Sequence, residues 1–262
     1  VKKKSDKKET VPNANYLWIG YFATALNDKG KAALVMANST SDASGSEYEI
    51  RKKLIEEGII SQMVTLPSNM FSSVTLPATL WFFDKQKAMT EKKNEILFVD
   101  ARNVFTQVDR AHRKFSEEQI KNLALITELY NGNTNAYHEL LNAYKESMKM
   151  APEESEDKEV KIKAYWQDNI DWIIERFPNG VYQDVIGLCK VAPLEGEDGI
   201  IDQDYSLNAG RYVGVVIEDD GMTEEEFKNT MLGLNEELCT LNNDAKEFED
   251  KISCYIAKLF GE

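Results

Sequence analysis

IISQMVTLPSNMFSSVTLPATLWFFD, residues 59–84, reads as two strands joined by a turn. IISQMVTL (59–66) and TLPATLWFFD (75–84) are short runs rich in β-branched and aromatic residues, and Leu66-Pro67-Ser68-Asn69-Met70-Phe71 holds the turn between them. That composition predicts a hairpin. Upstream, NYLWIGYFATAL (15–26) carries apolar residues on more than one face, as a helix packed on a sheet does, and Asn27-Asp28-Lys29-Gly30 ends it. KAALVMAN (31–38) is a continuous apolar run, the pattern of a strand covered on both faces. A small-residue loop, NSTSDASGS (38–46), and a helix, EYEIRKKLIEEG (47–58), separate it from the hairpin, with Gly58 suited to a helix stop. Downstream, EILFVDAR (95–102) is one more strand. The order predicts an α/β fold whose mixed sheet ends in an antiparallel hairpin.

Beyond residue 102 the texture turns helical. Ser116-Glu117-Glu118-Gln119 is a capping-box pattern opening a helix to about Tyr130, and two more helices are predicted over 135–149 and 158–176. The acidic stretch PEESEDKE (152–159) reads as an exposed linker or a first helical turn. Residues 177–221, punctuated by Pro178, Pro193 and several glycines, read as loop-rich with short strands. Thr223 with Glu226 makes a second capping box. After it Phe227, Met231, Leu234, Leu238, Leu241, Ala245, Phe248, Ile252, Tyr255 and Leu259 recur at alternating spacings of four and three. This is a heptad seam of about five repeats on a helix roughly 55 Å long, and it predicts a coiled coil.

Composition narrows the function classes. Acidic residues outnumber basic ones, 45 to 31, for a net charge of −14. Phosphate neutralisation dominates nucleic-acid affinity, so a chain with this balance needs a partner to supply positive surface if it handles DNA. The charge is uneven: Lys2, Lys3, Lys4, Lys7 and Lys8 crowd the start. No apolar run reaches the roughly 18 residues of a membrane span and none resembles a secretory signal, so a cytoplasmic location without membrane contact is expected. Cys189, Cys239 and Cys254 lack the spacing of a disulfide framework or zinc site. His112 and His138 are little material for a metal centre or a nucleophilic triad, so no metal is expected. The chain contains no Gly-x-Gly pair, no phosphate-loop motif, no HExxH and no Pro-Pro pair.

Residues 14–85, ANYLWIGYFATALNDKGKAALVMANSTSDASGSEYEIRKKLIEEGIISQMVTLPSNMFSSVTLPATLWFFDK, and 95–120, EILFVDARNVFTQVDRAHRKFSEEQI, resemble the modification subunits of type I restriction-modification systems. GLCKVA (187–192), YSLNAGRYVG (205–214) and the terminal heptad helix resemble the later part of the same family. The resemblance implies an adenine-specific DNA methyltransferase using S-adenosylmethionine. It implies that the chain is a carboxy-terminal portion, because the family's donor-binding glycines and its Asn-Pro-Pro-Tyr/Phe motif are absent. No catalytic residue is therefore expected here, and no donor bound to these residues alone. The implied partners are a specificity subunit, a second modification subunit, a restriction subunit and, in the assembled complex, DNA.

The same resemblance frames the candidate residues. Such enzymes rotate adenine out of the duplex, and the flipped base needs an aromatic face. Phe71 occupies the family's position for it; plain core packing is the other reading. Asn38 and Ser39 follow a strand, and Pro77 shapes the same wall, as pocket or DNA contacts or as ordinary connections. Arg110, His112 and Arg113 read as phosphate contacts or as a solvated helix start. Ala209 stands where the family has proline, which predicts a looser turn, while Arg211 and Tyr212 are retained to anchor the tail or simply to pack. The heptad seam is implied to bundle with the specificity subunit, with self-association as the competitor. The expected segments are a severed linker (1–11), the end of a methyltransferase domain (12–108), a helical and loop-rich extension (109–221) and an assembly helix (222–262). The alternative to a role at the substrate pocket is an assembly module alone.

Overall fold

The computed structural model describes residues 14–150, 156–216 and 223–260. The lysine-rich start and residues 152–155 of the acidic stretch lie outside the described residues. The described residues up to 216 and those from 223 form two compact units.

The first unit opens with α1 (Ala14–Ala25), whose Tyr16, Ile19 and Ala23 are buried at helical spacing while Leu17, Trp18 and Tyr21 face solvent. Gly30 donates its amide to the carbonyl of Asn27 at 2.9 Å, closing the turn into β1 (Lys31–Ala37). Next come α2 (Ser46–Glu56), β2 (Ile60–Thr65), β3 (Ala78–Asp84) and β4 (Glu95–Asp100). Gly58 ends the α2 turn at φ 74°, and a Cβ there would lie 2.9 Å from the Lys93 carbonyl oxygen. Only glycine fits both demands. A small ribbon, β5 (Thr106–Gln107) with β6 (Arg113–Lys114), precedes α3 (Glu117–Tyr130), α4 (Thr134–Lys149) and α5 (Glu156–Arg176). β7 (Cys189–Pro193) completes the main sheet.

That sheet has the order β1-β3-β2-β4-β7. β3 is antiparallel to both neighbours, β1 and β2, and β4 is parallel to β2. β1, β2 and β4 thus point the same way, and β7 runs back against β4. The expected mixed sheet with an antiparallel hairpin is present: β2 and β3 pair from Thr65↔Thr79 outward, and the Leu66 amide donates to Ala78 at 2.8 Å.

The pleat sends alternate residues into two cores. Met63, Trp81, Phe83, Ile96 and Phe98 meet α1, α2 and the segment around residues 200–213. Val64, Leu97 and Val99 meet α3, α4, α5, Phe177 and Leu188. β4 is therefore apolar at successive positions because both its faces are covered. The same inference for KAALVMAN is corrected. β1 is an edge strand bonded to β3, Val35 is 53% exposed, and Lys31, Ala33 and Ala37 face solvent. An unbroken apolar run does not separate a central strand from an edge strand.

The second unit contains α6 (Glu224–Phe260), opened by the predicted capping box: the Glu226 amide donates to Thr223 Oγ1 at 3.3 Å and the Thr223 amide to Glu226 Oε2 at 2.8 Å. Nine of its ten seam residues, Ala245 excepted, are large hydrophobics at least 51% exposed.

Candidate nucleic-acid interface

Because β1, β2 and β4 are parallel, the loops after them emerge at one edge of the sheet. Open α/β sheets bind ligands beyond such carboxyl ends. Asn38 and Ser39 begin the first loop, Phe71 and Pro77 lie in the second, and Arg110, His112 and Arg113 lie in the third.

The first loop turns through residues 38–42 as a short 3-10 segment. Asn38 donates its amide to the Pro77 carbonyl at 3.4 Å and accepts on Oδ1 from the Thr79 hydroxyl at 2.8 Å, so the first and second loops are joined. Ser39 is exposed. Tyr16 donates its hydroxyl to the Thr40 carbonyl at 2.7 Å, and burial raises the tyrosine pKa above its usual range. Fully buried Arg51 braces the loop's far end, donating to the carbonyls of Ala43 and, at 2.7 Å, Tyr205.

The second loop folds back on itself. Asn69 takes a left-handed conformation, φ 61°, which asparagine tolerates better than most residues, and its amide reaches the Thr75 carbonyl at 3.2 Å. Phe71 and Val74 form an isolated bridge at the tip. Phe71 is 41% exposed, Val74 47% and Leu76 70%. These side chains project as an apolar tip outside either core cluster.

The third loop docks on the second through Arg113. Its amide donates to the Asn69 carbonyl at 2.9 Å, its Nη1 to Ser68 Oγ at 3.0 Å, and its guanidinium lies 4.0 Å from the centre of the Phe105 ring. Arg113 is half-buried and engaged, whereas Arg110 and His112 stay exposed. Asp109 shapes their turn by accepting from the amides of Ala111 and His112 and from His112 Nδ1. The His112 hydrogen bond, first among these contacts, pulls the Asp109 pKa below the usual carboxylate range.

Residues that the sequence did not single out tie this edge together. Buried Asp100, at the end of β4, holds the Arg102 guanidinium through Nε at 2.9 Å and Nη2 at 2.6 Å. Thr65 and Thr79 stand beside it in register across β2 and β3, and Thr65 Oγ1 is buried without a partner. The returning tail reaches the first loop: Leu207 donates to the Ser41 carbonyl at 3.0 Å, Ser206 donates its hydroxyl to Asp42, and Arg211 Nε lies 3.8 Å from Asp42. Tyr212 is buried, stacks on Phe98 with ring centres 4.0 Å apart, and donates its hydroxyl to the Ser206 carbonyl at 2.6 Å. Burial raises its pKa. At Ala209 the turn is held by the Asn208 side chain, which accepts from the Gly210 amide at 3.2 Å. A polar residue ending a strand, as in the VDAR of residues 99–102, was the available signal for Asp100; nothing local marked Asp42.

An open groove of about 1330 Å³ lies elsewhere, between α3 and the sheet near the start of β1, lined by Lys31, Ala33, Phe82, Asp84, Leu123 and Thr127. None of the predicted site residues lines it.

Residues 2–139 match the sequence pattern of the N-6 DNA Methylase family. The chain is 32% identical over 254 residues to the type I restriction enzyme MjaIX methylase subunit of Methanocaldococcus jannaschii, covering 94% of this chain and 37% of that protein. It is 30% identical over 227 residues to the HindI methylase subunit of Haemophilus influenzae, covering 86% of this chain and 40% of the relative. The chain thus spans two fifths or less of the length of these relatives. Among solved structures, the type I restriction-modification methyltransferase subunit from Streptococcus thermophilus aligns at TM-score 0.48 and 20% identity, over 77% of this chain and 30% of that one.

Proposed function

The chain belongs to the N-6 DNA methylase family, and from that premise we propose that it works as part of the methylase subunit of a type I restriction enzyme that methylates adenine in DNA. One observation carries its place in the reaction: the loops after the three parallel strands meet at one edge, with the Phe71 ring at an exposed tip and Arg110 and His112 exposed on the loop that docks against it through Arg113. A base leaving the duplex loses stacking, and an exposed aromatic ring on a braced loop replaces it. Arg113 braces that loop, Pro77 and Asn38 join it to the first loop, and exposed Arg110 and His112, the latter held by Asp109 through Nδ1, are the groups offered to phosphate. Arg211 and Tyr212 anchor the tail beneath the site.

S-adenosylmethionine would supply the methyl group when bound. The residues described do not make its site by themselves, because the chain contains no Gly-x-Gly pair and the first loop is closed by Tyr16 at Thr40 and by the tail at Asp42. No transfer step is assigned to them. In this reading the isolated 262 residues neither transfer methyl groups nor hold the donor tightly; micromolar donor binding in a calorimetric titration would refute it. The cytoplasm is the proposed location. A specificity subunit reads the DNA sequence and, with a second methylase subunit and a restriction subunit, completes the assembly; the exposed seam of α6 is the surface proposed to meet the specificity subunit.

The test is Phe71→Ala in the complete methylase subunit assembled with its specificity subunit. Stacking of one base is worth about 1–3 kcal/mol, so methylation is expected to fall by roughly tenfold to hundredfold, with reduced 2-aminopurine fluorescence at the target position. Undiminished methylation and fluorescence would leave assembly as the role of this part of the chain.

A further inference from the structure

We propose that α6 pairs with α6 of a second copy of the chain in an antiparallel coiled coil with the whole seam overlapping. Three observations favour this occupant over a parallel one. The first is the order of seam side chains. Antiparallel overlap sets Phe227 against Leu259 of the second copy, Met231 against Tyr255, Leu234 against Ile252, Leu238 against Phe248, and Leu241 against Ala245. Large residues are thereby matched with smaller or flexible ones, and Ala245 faces a leucine. A parallel pair would set each residue against itself, placing two alanines in one layer and two Phe248 rings in the next. Cores of native density do not tolerate an underfilled layer beside a crowded one.

The second observation is charge. Of the residues flanking the seam on one side, Glu237 and Asp244 are acidic in the first half of the helix, and Lys251 and Lys258 are basic in the second. Flanking residues of this kind meet their own kind across an antiparallel pair. Glu237 then meets Lys251 of the second copy, twice by symmetry. In a parallel pair Asp244 would oppose Glu249, also twice, and both would repel. Lys251 is exposed, paired with Glu247 of its own helix at 3.3 Å and lying 5.5 Å from the centre of the Phe248 ring, surface contacts it can exchange at little cost. Third, antiparallel helices oppose their dipoles, with the acidic first turn, Glu224 to Glu226, lying toward the end bearing Lys258.

An antiparallel pair displaced by one heptad would match Asp244 with Lys251 and Glu237 with Lys258 instead, but it would leave Phe227 and Met231 of both helices without layers. Each buried side chain of that size outweighs a surface ion pair, so the full overlap is favoured. The one unfavourable contact is Asp244 against Asp244 at the symmetry axis. This seam is also the one proposed to meet the specificity subunit; the self-pairing does not depend on that reading, and the two compete for the same surface.

The test uses the whole 262-residue chain in sedimentation equilibrium at low salt. The chain is expected to be a concentration-dependent dimer. Lys251→Glu and Glu237→Lys, both on exposed positions, should each weaken dimerisation by roughly tenfold with unchanged circular dichroism, and an equimolar mixture of the two variants should restore it. A chain that stays monomeric overturns the proposal. So does a dimer indifferent to Lys251→Glu, which would indicate parallel pairing. Rescue of Lys251→Glu by Asp244→Lys and not by Glu237→Lys would establish the displaced register and overturn the full overlap.

Discussion

Lys87 is a charge taken into the body of the protein. Its side chain is 6% exposed, and Nζ donates to the carbonyls of Gly58 at 3.3 Å and Lys93 at 3.1 Å. Burial pushes its pKa down to about 8, against the smaller upward pull of Glu95 and Asp84. A lysine that releases its proton more readily when folded makes the unfolded chain the better proton binder between pH about 8 and the ordinary value of 10.5. Stability therefore rises with pH across that window, by something on the order of 1–3 kcal/mol, and the full penalty persists below it. Denaturant melts at about pH 7 and about pH 9.5 should show this rise in the parent chain and its loss in Lys87→Met; equal slopes in the two would show that Lys87 is not its source. Residues at the candidate site divide in a similar way between those engaged by another loop and those left exposed. Arg110, His112 and Arg113 are near neighbours in sequence, yet Arg113 is spent on bracing a loop. Their spacing carried no sign of that difference, because the Ser68 hydroxyl that engages it arrives from another loop.

At the scale of elements, helix starts were the most legible feature. Ser116 accepts from the Gln119 amide at 3.1 Å, and the Gln119 side chain accepts from the Ser116 amide at 2.8 Å, as the pattern predicts. A capping box is read locally because its partners are three residues apart. Ser116→Ala should cost the first unit about 1 kcal/mol, measurable as a lower denaturant midpoint with an unchanged slope; no change would mean that the α3 start is held by tertiary contacts alone. Strand positions were less legible. β1 has the composition of a central strand and occupies an edge, and β7 completes the sheet from a segment, CKVAP, that ends in proline and lacks alternation. Pairing partners lie far off in sequence, and no local pattern specifies them.

For the molecule as a whole, residues up to 216 make one compact unit in which α3, α4, α5 and β7 share cores with the strands before them. The long helix belongs to the other unit, and its heptad seam was legible because period alone defines it. Removing residues 223–262 is expected to leave the denaturant unfolding of the first unit unchanged and to abolish copurification with a specificity subunit. Retained copurification would refute the assembly role proposed for α6. With a net charge of −14, the chain carries little of the positive surface on which phosphate binding depends.

The clasp between Asp42 and the tail has a consequence for the order of events during synthesis. Ser206 and Asp42 are separated by 164 residues, so the loop after β1 is made long before the segment that fastens it. At the usual pace of translation the interval is about 10–30 s, during which α1, α2 and the hairpin are on hand but Phe98 lacks the ring of Tyr212. The nascent chain thus carries a late-closing latch: the edge proposed to meet DNA acquires its final geometry only after nearly the whole first unit has left the ribosome.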